Sequence, residues 1–298
     1  MTSSSKAGAV LSLGRIYCDL VFRGLDGPPQ LGREVFAEDF KLTPGGGALI
    51  TAAHLAGLGR TAAPVARFGT DGLSRSVSHE IEALGLDLRF LDHHDTAGPQ
   101  LTVVMVGEGD RAFLSKRAGH ARPQSFEESL AWGEAQHLHI AEYATLHEMP
   151  DAIAAAKRHG LSVSIDPSWD DQLIRDPQLF ERCAGADIFL PNQEEAHALT
   201  GHADPARALA ELARHFPIVA VKCGGDGAYL AVDGQTLHLP SPAVEVIDTT
   251  GAGDAFNAGF LHAWLNGADG SECLAAAIAV GTKSVQASGG TGSLRISA

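Results

Sequence analysis

Short apolar runs alternate with longer segments of helical spacing along most of this chain. The runs AVLSLG (9–14), APVARFG (63–69), AQHLHIA (135–141), LSVSID (161–166), DIFLP (187–191), IVAVKCG (218–224) and AVEVID (243–248) read as strands. Most are too uniformly apolar for a sheet with one wet face, which is the mark of a parallel sheet covered by helices on both sides. Between them, ITAAHLAGLG (50–59), SRSVSHEIEALG (74–85), MPDAIAAAKRHG (149–160), QEEAHALTG (193–201) and PARALAELARHF (205–216) carry helical spacing, several ended by glycine. Further helices are expected after 253 and 271. Repeated β-α units of this kind predict an α/β domain.

Two segments break the rhythm. GREVFAEDFKLTPGG (32–46) and GPQLTVVMVGEGDRAFLSKRAG (98–119) read as alternating strand pairs, the second folded at GEGD. Such strands do not easily join a parallel sheet, so they predict a small antiparallel lid over its edge. An exposed lid sheet is also a natural dimer contact. No repeat, low-complexity tract or long linker divides the 298 residues, which read as one domain, 1–298, with inserted lid strands.

The formal charge of −14 disfavours nucleic acid or an anionic membrane as partner, because the average surface would repel both. No apolar stretch reaches the roughly eighteen residues of a membrane span, and the start MTSSSKAGAV lacks the regions of a secretory signal, so a cytoplasmic protein is expected. The four cysteines are scattered without a CxxC pair and read as reduced thiols. His137, His139 and His147 cluster in sequence, but 137–141 reads as a buried strand with His137 and His139 on one face, and no HExxH spacing appears.

The most informative string is DTTGAGDAFNAGF (248–260), set between AVEVI and an apolar helix. A strand, a glycine turn and a helix start would present the amides of Gly251, Ala252 and Gly253 to an anion, favoured by the helix dipole. The γ-phosphate of a nucleotide is the natural guest. Asp254, in the first helical turn, would then accept the proton of an acceptor hydroxyl. The positive helix end is expected to depress its pKa, which a loose phosphoryl-transfer transition state tolerates. For a bare GxGD the alternative is a tight turn with a capping acid.

The full string resembles the second signature of the ribokinase-like PfkB family of carbohydrate kinases, and other segments match that family in order from about residue 9 to 290. The resemblance implies a three-layer sandwich with a mostly parallel central sheet and a small β lid. It also implies ATP and Mg²⁺ as cosubstrate and metal, Gly251, Ala252 and Gly253 as anion hole, and Asp254 as base. In LGRIYCDL, Asp19 matches the family's acid for substrate hydroxyls. TPGGGALITAAHLAGLG matches the family's GG motif, which implies that Gly45 and Gly46, with Gly47 as a further candidate, let backbone approach the sugar. The family's usual Asn five residues after the first glycine is Ile50 here, which removes one sugar contact. LPNQEEAHALTG supplies Asn192 and Glu195 for the NxxE motif, with Glu195 acting on magnesium indirectly. VKCGGDGAYL places Lys222, Gly224 and Gly227 along the nucleotide, and IDPSWD brings Asp166 near the site. AAAIAVGTKSVQASGGTGSL matches the helix and loop closing over adenine, where Asp248 and Ser288 would hold a monovalent cation such as K⁺.

Neither a P-loop nor a GxGxxG fingerprint follows any strand. The expected activity is transfer of the ATP γ-phosphoryl group to a hydroxyl of a sugar or sugar-like molecule. A nucleoside kinase of the same family and a non-catalytic sugar-binding regulator are the alternatives. Substrate recognition is expected from Asp19, the 45–50 turn, the lid and the segment carrying His139, Glu142 and Tyr143. A homodimer through the lid is expected, with no nucleic acid or membrane partner.

Overall fold

The computed structural model describes residues 8–107 and 111–294. The strands are β1 (Ala9–Leu13), β2 (Tyr17–Arg23), β3 (Asp39–Gly45), β4 (Ala62–Phe68), β5 (Leu91–His93), β6 (Leu101–Val106), β7 (Arg111–Lys116), β8 (Ala135–Ile140), β9 (Ser162–Ile165), β10 (Ile188–Phe189), β11 (Ile218–Lys222), β12 (Ala228–Val232) and β13 (Gln235–Leu239). The helices are α1 (Gly47–Gly57), α2 (Gly72–Glu82), α3 (Phe126–Leu130), α4 (Tyr143–Glu148), α5 (Ala152–Arg158), α6 (Leu179–Arg182), α7 (Gln193–Thr200), α8 (Pro205–Leu212), α9 (Ala252–Leu265) and α10 (Gly270–Ser284).

Nine strands form one sheet in the order β13-β12-β11-β10-β9-β8-β1-β4-β5. It is parallel from β5 to β11 and antiparallel only at the β11–β12–β13 edge. Every residue of β1 is buried, as a strand covered on both faces requires. On one face Leu11, Leu138, Val163 and Phe189 pack with Leu146, Ile153, Leu179 and Leu209 of α4, α5, α6 and α8. On the other, Val10, Ile188 and Ala220 pack with Leu55 of α1, Phe260 of α9 and Leu274 of α10. This is the ribokinase-like three-layer arrangement the sequence predicts.

The lid is a separate four-stranded sheet, β3-β2-β6-β7. It differs from expectation in two ways. Residues 32–38 form no strand, and β3 pairs instead with β2, which continues the chain from β1 through the buried Ile16 and Cys18. The lid is also not wholly antiparallel, because β2 and β6 run parallel. The β6–β7 pair is present as expected, with residues 108–110 of its GEGD turn outside the described residues.

A second correction concerns AVEVID (243–248), which joins no sheet. The antiparallel edge is made by the β12–β13 hairpin, leaving 243–248 outside the sheet with Val246 and Ile247 exposed. No helix among the described residues is long and apolar enough to cross a membrane. All four cysteines are buried and unpaired.

Candidate active site

The lid, the carboxyl ends of the parallel strands and the start of α9 enclose a cleft of about 1490 Å³. That exceeds the ~300–1,000 Å³ of an ordinary small-molecule pocket and leaves room for a nucleotide and an acceptor side by side. Asp254 lines the cleft. Gly251 caps α9 in the left-handed conformation (φ 73°), and no side chain caps the helix, so the first-turn amides face the cleft side of the turn. Of the three amides expected to form an anion hole, that of Ala252 closes the turn on Thr249 O (3.2 Å), leaving Gly251 and Gly253 as the turn's donors. The ammonium of Lys222 lies beside them. A Cβ on Gly253 would stand 3.3 Å from its Nζ.

The Asp254 carboxylate contradicts the depressed pKa expected from the helix end. It is pushed up to about 7, chiefly by burial and next by the negative charge of Asp166, with Asp19 and Glu142 adding and Lys222 opposing. The helix dipole amounts to about half a charge. Several carboxylates in a desolvated cleft outweigh it. Helix α1 comes so close that a Cβ on Gly47 would lie 2.9 Å from Asp254 Oδ1. The third glycine of TPGGG therefore makes room for the acid.

Behind Asp254 lies a buried polar network. Lys222 Nζ donates to Asp166 Oδ2 (2.6 Å) and to Asn257 Oδ1 (3.3 Å), and Asn257 Nδ2 donates to Asp166 Oδ2 (2.6 Å). Burial alone would lower the Lys222 pKa, but Asp166, Glu195 and Asp254 outweigh it and raise it, so the ammonium stays charged. Asn257 is fully buried, and its only mark in the sequence is an amide amid the apolar residues of AFNAGF. Asn192 and Glu195 form a capping box at the start of α7: Asn192 Oδ1 accepts from Glu195 N (2.8 Å) and Glu195 Oε2 from Asn192 N (2.7 Å). Both line the cleft. Glu195 is pushed up to about 8 by burial and then by Asp166.

The lid contributes a polar row. Thr43, Asp19, Thr102 and Ser115 stand opposite one another across β3, β2, β6 and β7. Asp19, Thr102 and Ser115 line the cleft, and Thr102 and Ser115 share a hydrogen bond of 3.0 Å. Asp19 is buried and pushed up to about 7, by desolvation and then by Asp248. Gly46 and Gly47 line the cleft, whereas Gly45 is buried behind Asp19, where a Cβ would fall 1.9 Å from Asp19 Oδ2. Ile50 lines the floor and packs against Gly290 and Gly251. Arg117, beyond β7, donates to Asp170 Oδ2 (2.7 Å) and so ties the lid to the loop after β9. No motif identified Arg117 or the lid hydroxyls.

Glu142 lines the cleft, but His139 and Tyr143 do not. His137 and His139 are fully buried and bonded to Ser162 and Ser164, and burial pushes His139 down to about 4. Tyr143 is buried with its hydroxyl on Asp176 (2.6 Å). No group of three or more metal-ligating side chains forms among the described residues. At the other end of the cleft Gly224, Gly227, Val244, Val246, Ile278 and Val285 make a mostly apolar slot. Outside it, Asp248 accepts from Thr250 N and Gly289 N (both 2.9 Å), and Arg23 reaches both Asp248 Oδ2 (3.5 Å) and the Ser288 hydroxyl.

The sequence model described as pfkB family carbohydrate kinase matches residues 10–296. The chain belongs to this family. It is 31% identical to an ATP-dependent ribose-1-phosphate kinase of Halopiger xanaduensis, over 91% of this chain and 90% of that protein. It is also 31% identical to a fructokinase of Klebsiella pneumoniae, over 73% and 76% respectively. Arabidopsis thaliana ribokinase, solved with ribose and ATP, has the same fold, with a TM-score of 0.80 at 23% identity over 95% of this chain and 94% of that one. This pfkB kinase is accordingly an ATP-dependent phosphotransferase acting on a sugar or sugar-like molecule.

Proposed function

We propose that the kinase phosphorylates a polyhydroxyl acceptor, a sugar or sugar phosphate, held between the lid row and Asp254, with ATP lying from the 251–253 turn towards the Val244–Ile278 slot. The observation that carries this reading is Asp254, a carboxylate at about 7, beside Lys222 at an uncapped helix start and under the hydroxyls of the lid. Asp254 takes the acceptor hydroxyl proton as its oxygen bonds to the γ-phosphorus; the bond to the β–γ bridging oxygen breaks, ADP leaves, and the proton passes from Asp254 to water. The amides of Gly251 and Gly253, with Lys222, stabilise the transferring group. Asp19, Thr102 and Ser115 bind acceptor hydroxyls.

Magnesium fits this cleft as a companion of the phosphates. Asp254 and Glu195 are carboxyls whose pKa values are raised by burial and by the nearby Asp166 charge, and one Glu195 oxygen is committed to Asn192 N, so Glu195 would reach the ion through water. The ion would neutralise phosphate charge. Asn192 and Glu195 would orient its water shell.

The chain works in this reading as one domain with its lid, in the cytoplasm where ATP is held. Homodimerisation through the lid is supported by its outer face, where Phe22, Phe36, Phe40, Val103 and Met105 surround a hollow of about 480 Å³ and Phe36 is 76% exposed. Light scattering that finds only monomer refutes it. The acceptor is tested by ADP release with Mg-ATP against pentoses, hexoses, sugar acids, polyols, sugar phosphates and nucleosides, beside Asp254→Asn. Sugar phosphates belong in the set because Arg117 stands at the acceptor end. Turnover with a sugar or sugar phosphate, lost in the variant, is expected; turnover confined to nucleosides, or undiminished in the variant, overturns the assignment.

A further inference from the structure

Arg23 closes β2 on the same lid face as Asp19 and carries its guanidinium out of the lid to the loops below. There Nη2 stands 3.5 Å from Asp248 Oδ2 and donates to the Ser288 hydroxyl. Those are the two side chains that the family resemblance assigns to a monovalent cation. The remaining capacity of Asp248 is also in use: Oδ1 accepts from Thr250 N and Oδ2 from Gly289 N. The carboxylate is 7% exposed, so it needs a positive partner. A potassium ion between the same oxygens would meet the guanidinium charge at contact distance. The residues therefore do not fit a free ion in addition to Arg23.

We propose that Arg23 is a built-in monovalent cation, a positioning residue whose fixed charge joins Asp248 to the 288–290 loop and makes this kinase independent of potassium. Asp248 opens the segment that leads through Thr249 and Thr250 to the anion-binding turn at 251–253, and its bond to Thr250 N sets that segment. On the other side its bond to Gly289 N holds a loop that packs, through Gly290, on Ile50 and Gly251. A charge placed at Asp248 thus fixes both walls of the phosphate turn. Because the charge is carried by a lid strand, it also tethers the lid to that turn.

The test compares wild type with Arg23→Met and Arg23→Lys in potassium chloride and in tetramethylammonium chloride at equal ionic strength. Two readouts do not depend on knowing the acceptor: the melting temperature and the dissociation constant for Mg-ATP. The second alone rests on the nucleotide reading, so a failure to bind ATP in wild type is separated from a failure of the cation argument by the melting data. Wild type and Arg23→Lys are expected to give the same melting temperature in the two salts and Mg-ATP affinities within about twofold. Arg23→Met is expected to melt lower and to bind Mg-ATP roughly tenfold more weakly in tetramethylammonium, with potassium restoring most of both. Potassium that tightens Mg-ATP or raises the melting temperature of wild type overturns the proposal. So does an Arg23→Met protein that is weakened but indifferent to potassium, because Arg23 would then be a strut and not a stand-in for the ion.

Discussion

Replacing Asp254 by Asn should inactivate the kinase and make it more stable, and the stability gain should grow with pH. The folded-state pKa is about 7 and the ordinary value is 3.8, so the folded protein holds this proton more tightly than the unfolded chain. Stability associated with it is complete below the unfolded value, falls as pH rises between the two, and is lost above about 7. At ~1.36 kcal/mol per pH unit, the cost of the charge is about 4 kcal/mol above neutrality and under about 2 kcal/mol at pH 5. The carboxylate keeps a partial opening to the cleft and Lys222 remains as a neighbour, so roughly half of that difference, about 1–2 kcal/mol, should survive screening. Asn has no charge to desolvate. The variant's advantage in melting temperature should therefore widen by about 3 °C between pH 5 and pH 8, at roughly 2 °C per kcal/mol for a chain of this size. Glu195 titrates in both proteins, and losing the Asp254 charge relieves part of its own raised pKa, which adds to the variant's advantage in the same direction. Scanning calorimetry at the two pH values reads the effect, and coupled ADP release should show a loss of about 10²–10⁴ in kcat. A variant less stable than wild type at pH 8, or an advantage that does not change with pH, would refute the view that burial among carboxylates governs Asp254.

Three further outcomes follow from the same cleft. Asn257→Leu removes the amide that bridges Asp166 and Lys222, and should cost about 1–3 kcal/mol in urea unfolding with a fall in kcat greater than about tenfold; unchanged kcat would detach the network from catalysis. Gly45→Ala drives a methyl into Asp19 Oδ2, so acceptor KM should rise about 10–100-fold while KM for Mg-ATP stays put, and a rise in the nucleotide KM alone would show that Asp19 does not face the acceptor. Arg117→Ala breaks a partly exposed pair worth under about 1 kcal/mol, so melting should barely move while acceptor kcat/KM falls about tenfold; equal activity would remove Arg117 from the acceptor end.

Much of this layout was legible in the chain because it is local. The buried strands announce themselves as uninterrupted apolar runs, and DTTGAGDAF writes a turn, a helix start and an acid in consecutive residues. What the sequence withheld depends on residues far apart in it. AVEVID has the composition of a strand, yet the edge position was taken by a hairpin whose second strand, QTLHL, is mostly polar because it is covered on one side only. The row Thr43–Asp19–Thr102–Ser115 exists only in the register of four strands drawn from three separate stretches. The Asp254 pKa departs from the local expectation for the same reason. Its helix end is visible in six residues, while Asp166, Asp19 and Glu142, which outweigh it, arrive from β9, the lid and β8.

On the function proposed above, the charge balance of the cleft also gives the nucleotide a reason to arrive with a metal. Asp19, Glu142, Asp166, Glu195 and Asp254 converge on a space whose facing cations are Lys222 and Arg117, and each of these two is already paired with an aspartate. A bare nucleotide triphosphate entering there would add about four negative charges to a set of acids that already raise one another's pKa values. The cleft resolves the conflict in part by keeping Asp254, Asp19 and Glu195 partly protonated near neutrality. A divalent ion arriving with the phosphates would complete it, lowering those pKa values and releasing the Asp254 proton site as the nucleotide binds. The base would then become available when its phosphoryl donor is in place, which couples the chemical readiness of Asp254 to the presence of Mg-ATP and spares the empty cleft the full cost of three buried charges.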